Sequence, residues 1–277
     1  MKELSNYDTQ KNALEILKYV TGICEQLSLK YVLAWGTLIG AVRHQGFIPW
    51  DDDIDIAMPR EDYDVLIKFF MDNKDAISDY SLYSIYNRED YYYLVTRVAS
   101  TSTLIVPNNK TNMNQANHGV FIDVYPIDCC GQDYSEAMSF FKKQMRLEFL
   151  RSEAIRGRFK KTETSIIKTM AKIPVYFYAK MRGYKYFQNK QQKNVMKCGN
   201  GSNSYFCCWC GTGGMNAEKL IFSDNFFSER VKTLFEDSVF FIPKSYDRIL
   251  RQVYGDYMAL PPVEERTGHH EYKAYKI

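Results

Sequence analysis

Four aspartates stand within five positions of the segment GFIPWDDDIDIAMPR, residues 46–60, and this cluster constrains the fold of the 277-residue chain more than any other feature. Ile54 and Ile56 alternate with Asp53 and Asp55, and this period of two predicts a β-strand. Alternate side chains of a strand point to opposite faces, so the two carboxylates share one face. Adjacent carboxylates repel each other unless a cation lies between them. The pattern therefore predicts a divalent metal site, with a solvated acidic turn as the alternative.

A third acid, Asp123, lies in the middle of the apolar run GVFIDVY, residues 119–125. A lone aspartate in a buried strand is costly to desolvate unless it is paired or bound to metal. Its best partner is the pair Asp53 and Asp55, across the same sheet. Because oxygen ligands of this kind suit Mg²⁺ or Mn²⁺, we expect these three acids to bind such an ion. Asp51 and Asp52 either bind a second metal or only support the turn, and Asp51 is also counted among the candidate metal ligands.

The segment AWGTLIGAVRHQG, residues 34–46, predicts a strand-to-helix turn at Gly36 and Thr37. Glycine lets the backbone come close to a ligand, and the N–H groups at a helix start favour phosphate. Arg43 and His44 follow in the same segment. Arginine clamps phosphate, and histidine binds phosphate or transfers a proton. We therefore predict that this segment binds phosphate beside the acids.

Apolar spacing along the rest of the chain predicts the elements around this site. In the first half the predicted elements are a helix over 7–27, a short helix over 37–43, a strand over 53–58, a helix over 60–73, strands between 81 and 106 and a strand over 119–125. The second half has mainly helical spacing, over 135–157 and over 164–196, with a break near Pro174. These patterns predict an α+β fold, with a catalytic module over 1–135 and a mainly helical module over 136–277.

Composition and charge exclude several classes of protein. Aromatic residues make up 15% of the chain, far more than disordered chains carry. The chain has no uncharged apolar run of about 18 residues, which excludes a transmembrane helix. Its N-terminus is charged and lacks the apolar region of a secretory signal. We therefore expect a cytoplasmic protein.

Positive charge is concentrated in the middle of the chain. Residues 142–197 contain 16 Lys and Arg but only 3 Asp and Glu, whereas residues 1–141 carry a net charge of −9. Such a stretch contacts an anionic polymer, a membrane surface or nucleic acid, unless it is only the solvated face of helices. Residues 165–187 mix Lys and Arg with aromatic and aliphatic side chains, which predicts peripheral contact with the inner face of an anionic membrane. The alternative is a core helix pair joined at Pro174.

Cysteines crowd one part of the second half. Cys198, Cys207, Cys208 and Cys210 lie within thirteen residues, and four cysteines at one place suggest zinc. Their spacing lacks paired CxxC knuckles, and cysteine is also a common small core residue. A zinc site and a buried strand are therefore both open interpretations.

Together these motifs resemble the nucleotidyltransferase superfamily of the DNA polymerase β type. Its pattern is Gly with Gly or Ser, then two acids separated by an apolar residue, then a third acid in a later strand. Gly36 and Thr37, then Asp53 and Asp55, then Asp123 match it, and Thr37 keeps the hydroxyl. The block GTLIGAVRHQGFIPWDDDIDIAMPREDYDVL resembles the LicD family signature almost throughout. GVFIDVYPID and YGDYMALPPVEERTGHH resemble two further LicD blocks.

The resemblance is dense over residues 30–130, moderate over 240–270 and weak over 140–240. It implies a nucleotidyltransferase-like mixed sheet with flanking helices and a metal-dependent transferase. Such an enzyme moves phosphocholine, or a related phospho-alcohol, from a CDP-linked donor such as CDP-choline to a sugar hydroxyl and releases CMP. The candidate acceptors are bacterial surface glycans: teichoic acid, lipopolysaccharide or a capsule precursor, in a lipid-linked form if the reaction takes place at the membrane.

Further residues receive roles under this hypothesis. Asp123 is the candidate acceptor of the hydroxyl proton, Arg43 offsets charge on the leaving CMP, and Arg97 is a candidate phosphate contact. The aromatic candidates for binding the quaternary ammonium of choline are Trp50, Tyr125, Tyr91, Tyr92 and Tyr93. The C-terminal tail, with His269 and His270, either folds over the active site, as we expect, or is solvated.

Two other functions fit parts of the pattern. A nucleotidyltransferase that adds a nucleotide from a triphosphate to a small molecule would release pyrophosphate instead of CMP. A basic nucleic-acid-binding protein would use residues 142–197, but that stretch has no recognised reading motif, and the three acids would have no role. We therefore expect no nucleic-acid partner.

Overall fold

The computed structural model describes residues 1–107, 118–161, 165–195, 205–210, 216–223, 225–266, 268 and 272–277. The helices are α1 (Asn6–Gln26), α2 (Trp35–Arg43), α3 (Arg60–Asp72), α4 (Tyr134–Ile155), α5 (Ile166–Arg182), α6 (Tyr184–Val195), α7 (Ala217–Leu220) and α8 (Tyr246–Tyr254). The strands are β1 (Lys2–Glu3), β2 (Val32–Leu33), β3 (Asp55–Pro59), β4 (Tyr80–Tyr83), β5 (Thr96–Ser100), β6 (Thr103–Pro107), β7 (Phe121–Gly131), β8 (Tyr205–Cys207), β9 (Ile221–Phe222), β10 (Arg230–Phe235), β11 (Ser238–Pro243) and β12 (Tyr272–Lys276). Helices and a mixed sheet confirm the predicted α+β class.

The chain forms two compact units. The first consists of residues 1–127 and 225–277, and the second of residues 128–224. The sequence pattern predicts one boundary, after residue 135. In the structure the chain passes from one unit to the other twice, after residue 127 and after residue 224. The C-terminal segment belongs to the first unit because β12 pairs with β1 on one side and with β6 on the other. The sequence pattern does not predict β12, so this strand is a finding of the structure.

The first unit is built on a mixed sheet with the strand order β2-β3-β7-β5-β4. β3 and β7 are parallel neighbours, and the other neighbouring pairs are antiparallel. Parallel neighbours need a long crossover connection, and here α3, β4, β5 and β6 lie between them in the chain. This crossover brings two acidic segments that are far apart in sequence to the centre of one sheet.

Helix α1 covers the hydrophobic side of this unit. A capping box starts it, because Ser5 Oγ accepts a hydrogen bond from the backbone N–H of Asp8 and the Asp8 carboxylate accepts one from that of Ser5, each at 3.1 Å. Its apolar stripe is fully buried and joins the same cluster as Ile54 and Ile56 of the acidic segment. The isoleucines predicted to pack away from the acids therefore lie in the core.

A hairpin from the C-terminal segment supports the loop between α2 and β3. Glu236 lies at the turn between β10 and β11 with a φ of 56°. Its carboxylate accepts a hydrogen bond from the backbone N–H of Phe47 at 2.9 Å, and its own N–H donates to the carbonyl oxygen of Gln45 at 2.8 Å. This turn holds the chain that leads into the acidic cluster.

The second unit contains α4, α5 and α6. Buried Gln144 and Gln191 join α4 to α6, since the Gln144 side-chain amide donates to the Gln191 carbonyl oxygen at 3.2 Å. The predicted break near Pro174 is wrong: α5 continues through Pro174 and stops at Gly183, which has a φ of 74°. Proline removes one helical hydrogen bond, whereas Gly183 turns the chain into the left-handed region that favours glycine. Among the described residues, no helix is long and apolar enough to cross a membrane.

Candidate active site

Three buried charged side chains form one row across the main sheet. The parallel pairing places Asp55 of β3 beside Asp123 of β7, and the antiparallel pairing places Asp123 beside Arg97 of β5. Arg97 Nε donates to Asp123 Oδ1 at 2.8 Å, and each side chain is only 8% exposed. The row therefore joins two of the predicted acids and gives one of them a fixed cationic partner.

Besides Asp123, Arg97 contacts aromatic rings. Its guanidinium carbon lies 3.9 Å from the ring centre of Phe121 and 4.9 Å from that of Tyr93. Arg97 Nη1 also lies 3.3 Å from His118 Nε2. The ion pair of Arg97 with Asp123 fixes the orientation of that carboxylate. A phosphate contact of Arg97, for which it is a candidate, stays a prediction.

His118 is a site residue that the sequence analysis missed. His118 Nδ1 lies 3.0 Å from the Gly119 carbonyl oxygen, so this nitrogen carries the proton and Nε2 accepts from Arg97. Burial, and then the neighbouring Arg97, lower the pKa of His118 to about 4. The ring is therefore neutral at pH 7. Its position at the end of an Asn-rich polar run gives no signal, because its partner comes from a different strand.

The acidic loop lies directly before β3. One carboxylate oxygen from each of Asp51, Asp52 and Asp53 lies within 4.8 Å of the others. Asp51 is buried, and the side chain of Gln10 donates to its backbone carbonyl oxygen at 2.7 Å. Gly36 makes this packing feasible, because a Cβ at that position would lie only 2.9 Å from Asp51 Oδ2. The sequence predicts that glycine at position 36 lets the backbone come close to a ligand. In the structure, the group that comes close to Gly36 is the carboxylate of Asp51.

The hydroxyl of Thr37 fixes the start of β3. Thr37 Oγ1 accepts a hydrogen bond from the backbone N–H of Asp55 at 2.8 Å, and both groups are buried. The backbone of Asp55 also accepts from the N–H of Ala34 at 3.0 Å. Ala34 is the N-cap of α2 and has no side-chain acceptor to cap the helix, so its first-turn N–H groups suit an anionic ligand.

Burial and mutual repulsion disfavour the charged form of these acids. Burial, followed by the charges of Asp53, Asp123 and Asp51, raises the pKa of Asp55 well above its usual value. Burial, followed by Asp53, raises the pKa of Asp51 to about 8. Asp55 Oδ1 is buried and has no hydrogen-bond partner among the described residues. A carboxylate oxygen left in this way fits a hard divalent cation, the class of ligand predicted from the sequence.

The C-terminal segment of the first unit lies against the acidic loop. The guanidinium of Arg266 lies 5.5 Å from the ring centre of Trp50, and a Cβ at Gly268 would lie 3.3 Å from the Trp50 carbonyl oxygen. Burial raises the pKa of Tyr272, as do the charges of Asp52 and Asp53. One face of Trp50, a candidate for choline, therefore already contacts a cation of the chain.

Arg43 and His44 lie at the end of α2. Arg43 Nη1 donates to the carbonyl oxygens of Tyr257 at 2.5 Å and Ala259 at 3.2 Å, and Arg43 Nε donates to His44 Nε2 at 3.0 Å. Burial lowers the pKa of His44, which suits its role as an acceptor. These bonds attach the segment after α8 to α2. Phosphate binding by either residue stays a prediction.

The remaining candidates are dispersed. Tyr125 stacks edge-on with Trp35, with ring centres 5.9 Å apart. Tyr91 is buried, and its hydroxyl donates to the Val95 carbonyl oxygen at 2.8 Å, so it is a core residue. Tyr93 stacks on Arg97, as described above. His269 and His270 lie outside the described residues.

Cysteines of the second unit are buried thiols in the part that the structure describes. A contact with Cys210, and burial, raise the pKa of Cys208, while burial, and then Cys130, raise that of Cys207. Asp128, in the same unit, accepts a hydrogen bond from Trp209 Nε1 at 2.6 Å, so this acid has a structural partner. Cys198 lies outside the described residues, and zinc binding stays untested.

Comparisons with known proteins find the same family as the sequence motifs. Residues 28–152 match the family model described as LicD/FKTN/FKRP, nucleotidyltransferase domain. The chain is 29% identical over 285 residues to the lipopolysaccharide cholinephosphotransferase LicD of Haemophilus influenzae, and the alignment covers 99% of each chain. A shorter part, 48 residues, is 44% identical to the ribitol 5-phosphate transferase FKRP of Homo sapiens, covering 17% of this chain and 10% of that protein.

A further match of 61 residues is 46% identical to an uncharacterized protein of Rickettsia prowazekii, covering 22% of this chain and 20% of that one. The region matched by the family model contains Asp55, Asp123 and Arg97, the whole row across the sheet, together with the acidic loop and Thr37. The resemblance to the LicD family that the sequence motifs indicate is confirmed: residues 28–152 match the LicD family domain, and the whole chain is similar to a LicD protein.

Proposed function

We propose that this protein transfers phosphocholine, or a related phospho-alcohol, from a CDP-linked donor to a hydroxyl of a bacterial surface glycan and releases CMP. The observation that carries the proposal is the buried, unpartnered Oδ1 of Asp55 beside Asp123, Asp53 and Asp51. Similarity over 99% of the chain to a lipopolysaccharide cholinephosphotransferase supports the choice of phosphocholine. Lipopolysaccharide, teichoic acid and capsule precursors are the acceptors that we would examine first.

Mg²⁺ or Mn²⁺ is the cofactor that the acidic residues suit. Asp53, Asp55 and Asp123 would hold it, with Asp51 as a further ligand, because these carboxylates repel one another and oxygen ligands favour hard cations. When bound, such an ion neutralises charge on the diphosphate and on the developing transition state. A metal-bound state would also give the buried Asp55 carboxylate a partner.

Phosphoryl-type transfer depends mainly on positioning and on charge neutralisation. The N–H groups at the start of α2 and the backbone of Gly36 would bind the donor diphosphate. Thr37 holds Asp55 at the start of β3 through its 2.8 Å hydrogen bond. Arg43, in this proposal, offsets charge on the leaving CMP while it anchors the segment after α8.

Asp123 is the proposed acceptor of the proton from the acceptor sugar. Because Oδ1 binds Arg97, we assign the proton to Oδ2. The sugar oxygen forms a bond to the phosphorus that carries choline, the bond from this phosphorus to the CMP oxygen breaks, and CMP leaves with the electron pair. The hydroxyl proton ends on Asp123. Arg97 and neutral His118 keep this carboxylate in one orientation throughout.

A product assay tests the proposal. Purified protein is incubated with Mg²⁺ or Mn²⁺, a bacterial membrane extract as acceptor source, and either CDP-choline, CDP-ethanolamine, CDP-glycerol, CDP-ribitol or nucleoside triphosphates. We expect CMP from CDP-choline and loss of that release in Asp53→Asn. If only another CDP-alcohol is turned over, the proposed reaction stands but the donor is not CDP-choline. Pyrophosphate from a triphosphate, without CMP from any CDP-alcohol, would contradict the proposal and favour a nucleotidyltransferase.

A further inference from the structure

Helix α5 of the second unit presents large apolar side chains to the outside. Ile166 and Ile167 are 81% and 80% exposed, Met181 is 75% exposed, and Met170 and Phe177 are each 65% exposed. Ordinary surface residues of this kind occur singly, whereas here five lie on one helix of 17 residues.

These side chains share one face of the helix. At about 100° per residue, Ile173, Ile166, Phe177, Met170, Met181, Pro174, Ile167 and Tyr178 fall within an arc of roughly 140°. Lys180 borders this arc on one side and Arg182 on the other, and both are exposed. The exposed surface of α5 is therefore an apolar stripe between cations. We call it the α5 stripe.

The opposite face of α5 packs against the rest of the second unit. Lys172 points inward, where its Nζ lies 3.1 Å from Glu153 Oε1 of α4, and Glu153 is only 1% exposed. Ala179, next to Lys172 on this face, is fully buried. The helix thus has a charged residue on its packed face and apolar residues on its exposed face, the reverse of a helix in a water-soluble bundle.

The positive charge around the α5 stripe favours an anionic partner. Residues 164–217 contain no Asp or Glu at all. Lys185, Lys190 and Lys193 of α6 are exposed as well. A helix with a broad apolar face and flanking cations binds in the plane of an anionic lipid surface, with the apolar face buried at the boundary between headgroups and acyl chains.

We propose that α5 is a membrane-docking helix that lies in the plane of an anionic phospholipid bilayer, with the α5 stripe inserted and the bordering Lys180 and Arg182 at the lipid phosphates. The sequence pattern predicts membrane contact somewhere within residues 165–187. The structure limits the contact surface to the α5 stripe, on one face of one helix. Docking of this kind would bring the chain to lipid-linked acceptors, but it does not depend on the proposed transfer reaction.

Vesicle flotation tests the docking helix. The full chain is mixed with vesicles of phosphatidylcholine alone or with about 30% phosphatidylglycerol, whose negative charge gives the surface a potential that attracts Lys and Arg. We expect binding to the anionic vesicles only, at least tenfold weaker in Phe177→Glu and in Met170→Glu. Val239→Glu, at an exposed valine of the β10–β11 hairpin, is the matched control and should bind like the wild type.

Two further readouts separate the outcomes. Sedimentation velocity without lipid should give the same oligomeric state for wild type and Phe177→Glu. A dimer that this substitution dissociates, with no vesicle binding by the wild type, would overturn the proposal and assign the stripe to self-association. Equal vesicle binding by wild type and Phe177→Glu would overturn it too. With acceptor dissolved in detergent, CMP release from CDP-choline should be unchanged in Phe177→Glu, because the acceptor is then reached without a bilayer. Failure of docking and failure of the transfer proposal are therefore distinguishable.

Discussion

Thr37 supplies the hydroxyl on which the position of Asp55 depends. In Thr37→Val the buried N–H of Asp55 loses its acceptor, which should cost about 1–3 kcal/mol in the free energy of unfolding. Thr37→Ser keeps the hydroxyl and should cost less than about 1 kcal/mol. Urea denaturation of both variants measures this difference. A Thr37→Val variant that unfolds at the same urea concentration as the wild type would show that the hydroxyl has no such role.

His118 gives the protein a pH-dependent stability that a sequence does not suggest. Its pKa falls to about 4 in the folded chain and returns to about 6.5 on unfolding. The unfolded state therefore binds the proton more readily, so this stabilisation is complete above pH 6.5 and is lost as the pH falls through 4, by about 3 kcal/mol in total.

His118→Gln keeps an acceptor for Arg97 but does not titrate between pH 7 and pH 4. Denaturation of wild type and variant across this range isolates the contribution of His118 from that of the carboxylates. We expect the free energy of unfolding to fall less steeply with acid in the variant. Parallel curves would mean that His118 is not held neutral beside Arg97.

The acids of the site could be predicted from local sequence, whereas their partners could not. Asp53 and Asp55 alternate with isoleucines, and Asp123 interrupts an apolar run, so each is visible within a few residues. The pairing of Asp123 with Arg97 depends on the register of two antiparallel strands 26 positions apart. The contact of His118 with Arg97 depends on the same strand register, and no periodicity of the sequence predicts it.

Helix α2 and its following loop form the element that places the acidic cluster. A Cβ at Gly40 would lie 2.4 Å from the Gly46 carbonyl oxygen, a backbone atom that cannot move alone. Gly40→Ala should therefore destabilise the protein by about 1–3 kcal/mol and reduce activity. Gly22→Ala is the control in the middle of α1, where nothing lies within 4 Å, and it should stabilise by about 0.5–1 kcal/mol. Thermal unfolding compares them, and a neutral Gly40→Ala would refute the close contact.

Helices and strands whose apolar residues are regularly spaced can be predicted from the sequence. Elements without such spacing cannot. Helix α1 and strand β3 fall within a residue or two of their predicted bounds, because one face of each is continuously apolar. Strand β12 has a short, charged sequence, YKAYK, and its only buried residue is Ala274. It becomes a strand because two neighbours offer it hydrogen bonds, a tertiary cause that local sequence does not carry.

At the scale of the whole molecule, the C-terminal segment completes the first unit. Arg43 binds the carbonyl oxygens of Tyr257 and Ala259, and β12 pairs with β1 and β6. A chain shortened to residues 1–224 should therefore lack cooperative unfolding and be cleaved rapidly by protease. Circular dichroism with heating measures this. A shortened chain that unfolds cooperatively near the temperature of the full chain would contradict the assignment of 225–277 to the first unit.

The most direct test of the central claim is CMP release by Asp55→Asn, compared with Asp75→Asn, an exposed carboxylate of the same unit. Asparagine removes the buried charge but keeps the shape, so the fold should persist and stability without divalent cation should not fall. We predict that CMP release from CDP-choline drops about a hundredfold or more in Asp55→Asn and is unchanged in Asp75→Asn. Wild-type rates in a folded Asp55→Asn protein would show that the carboxylates at the sheet are not the site of transfer.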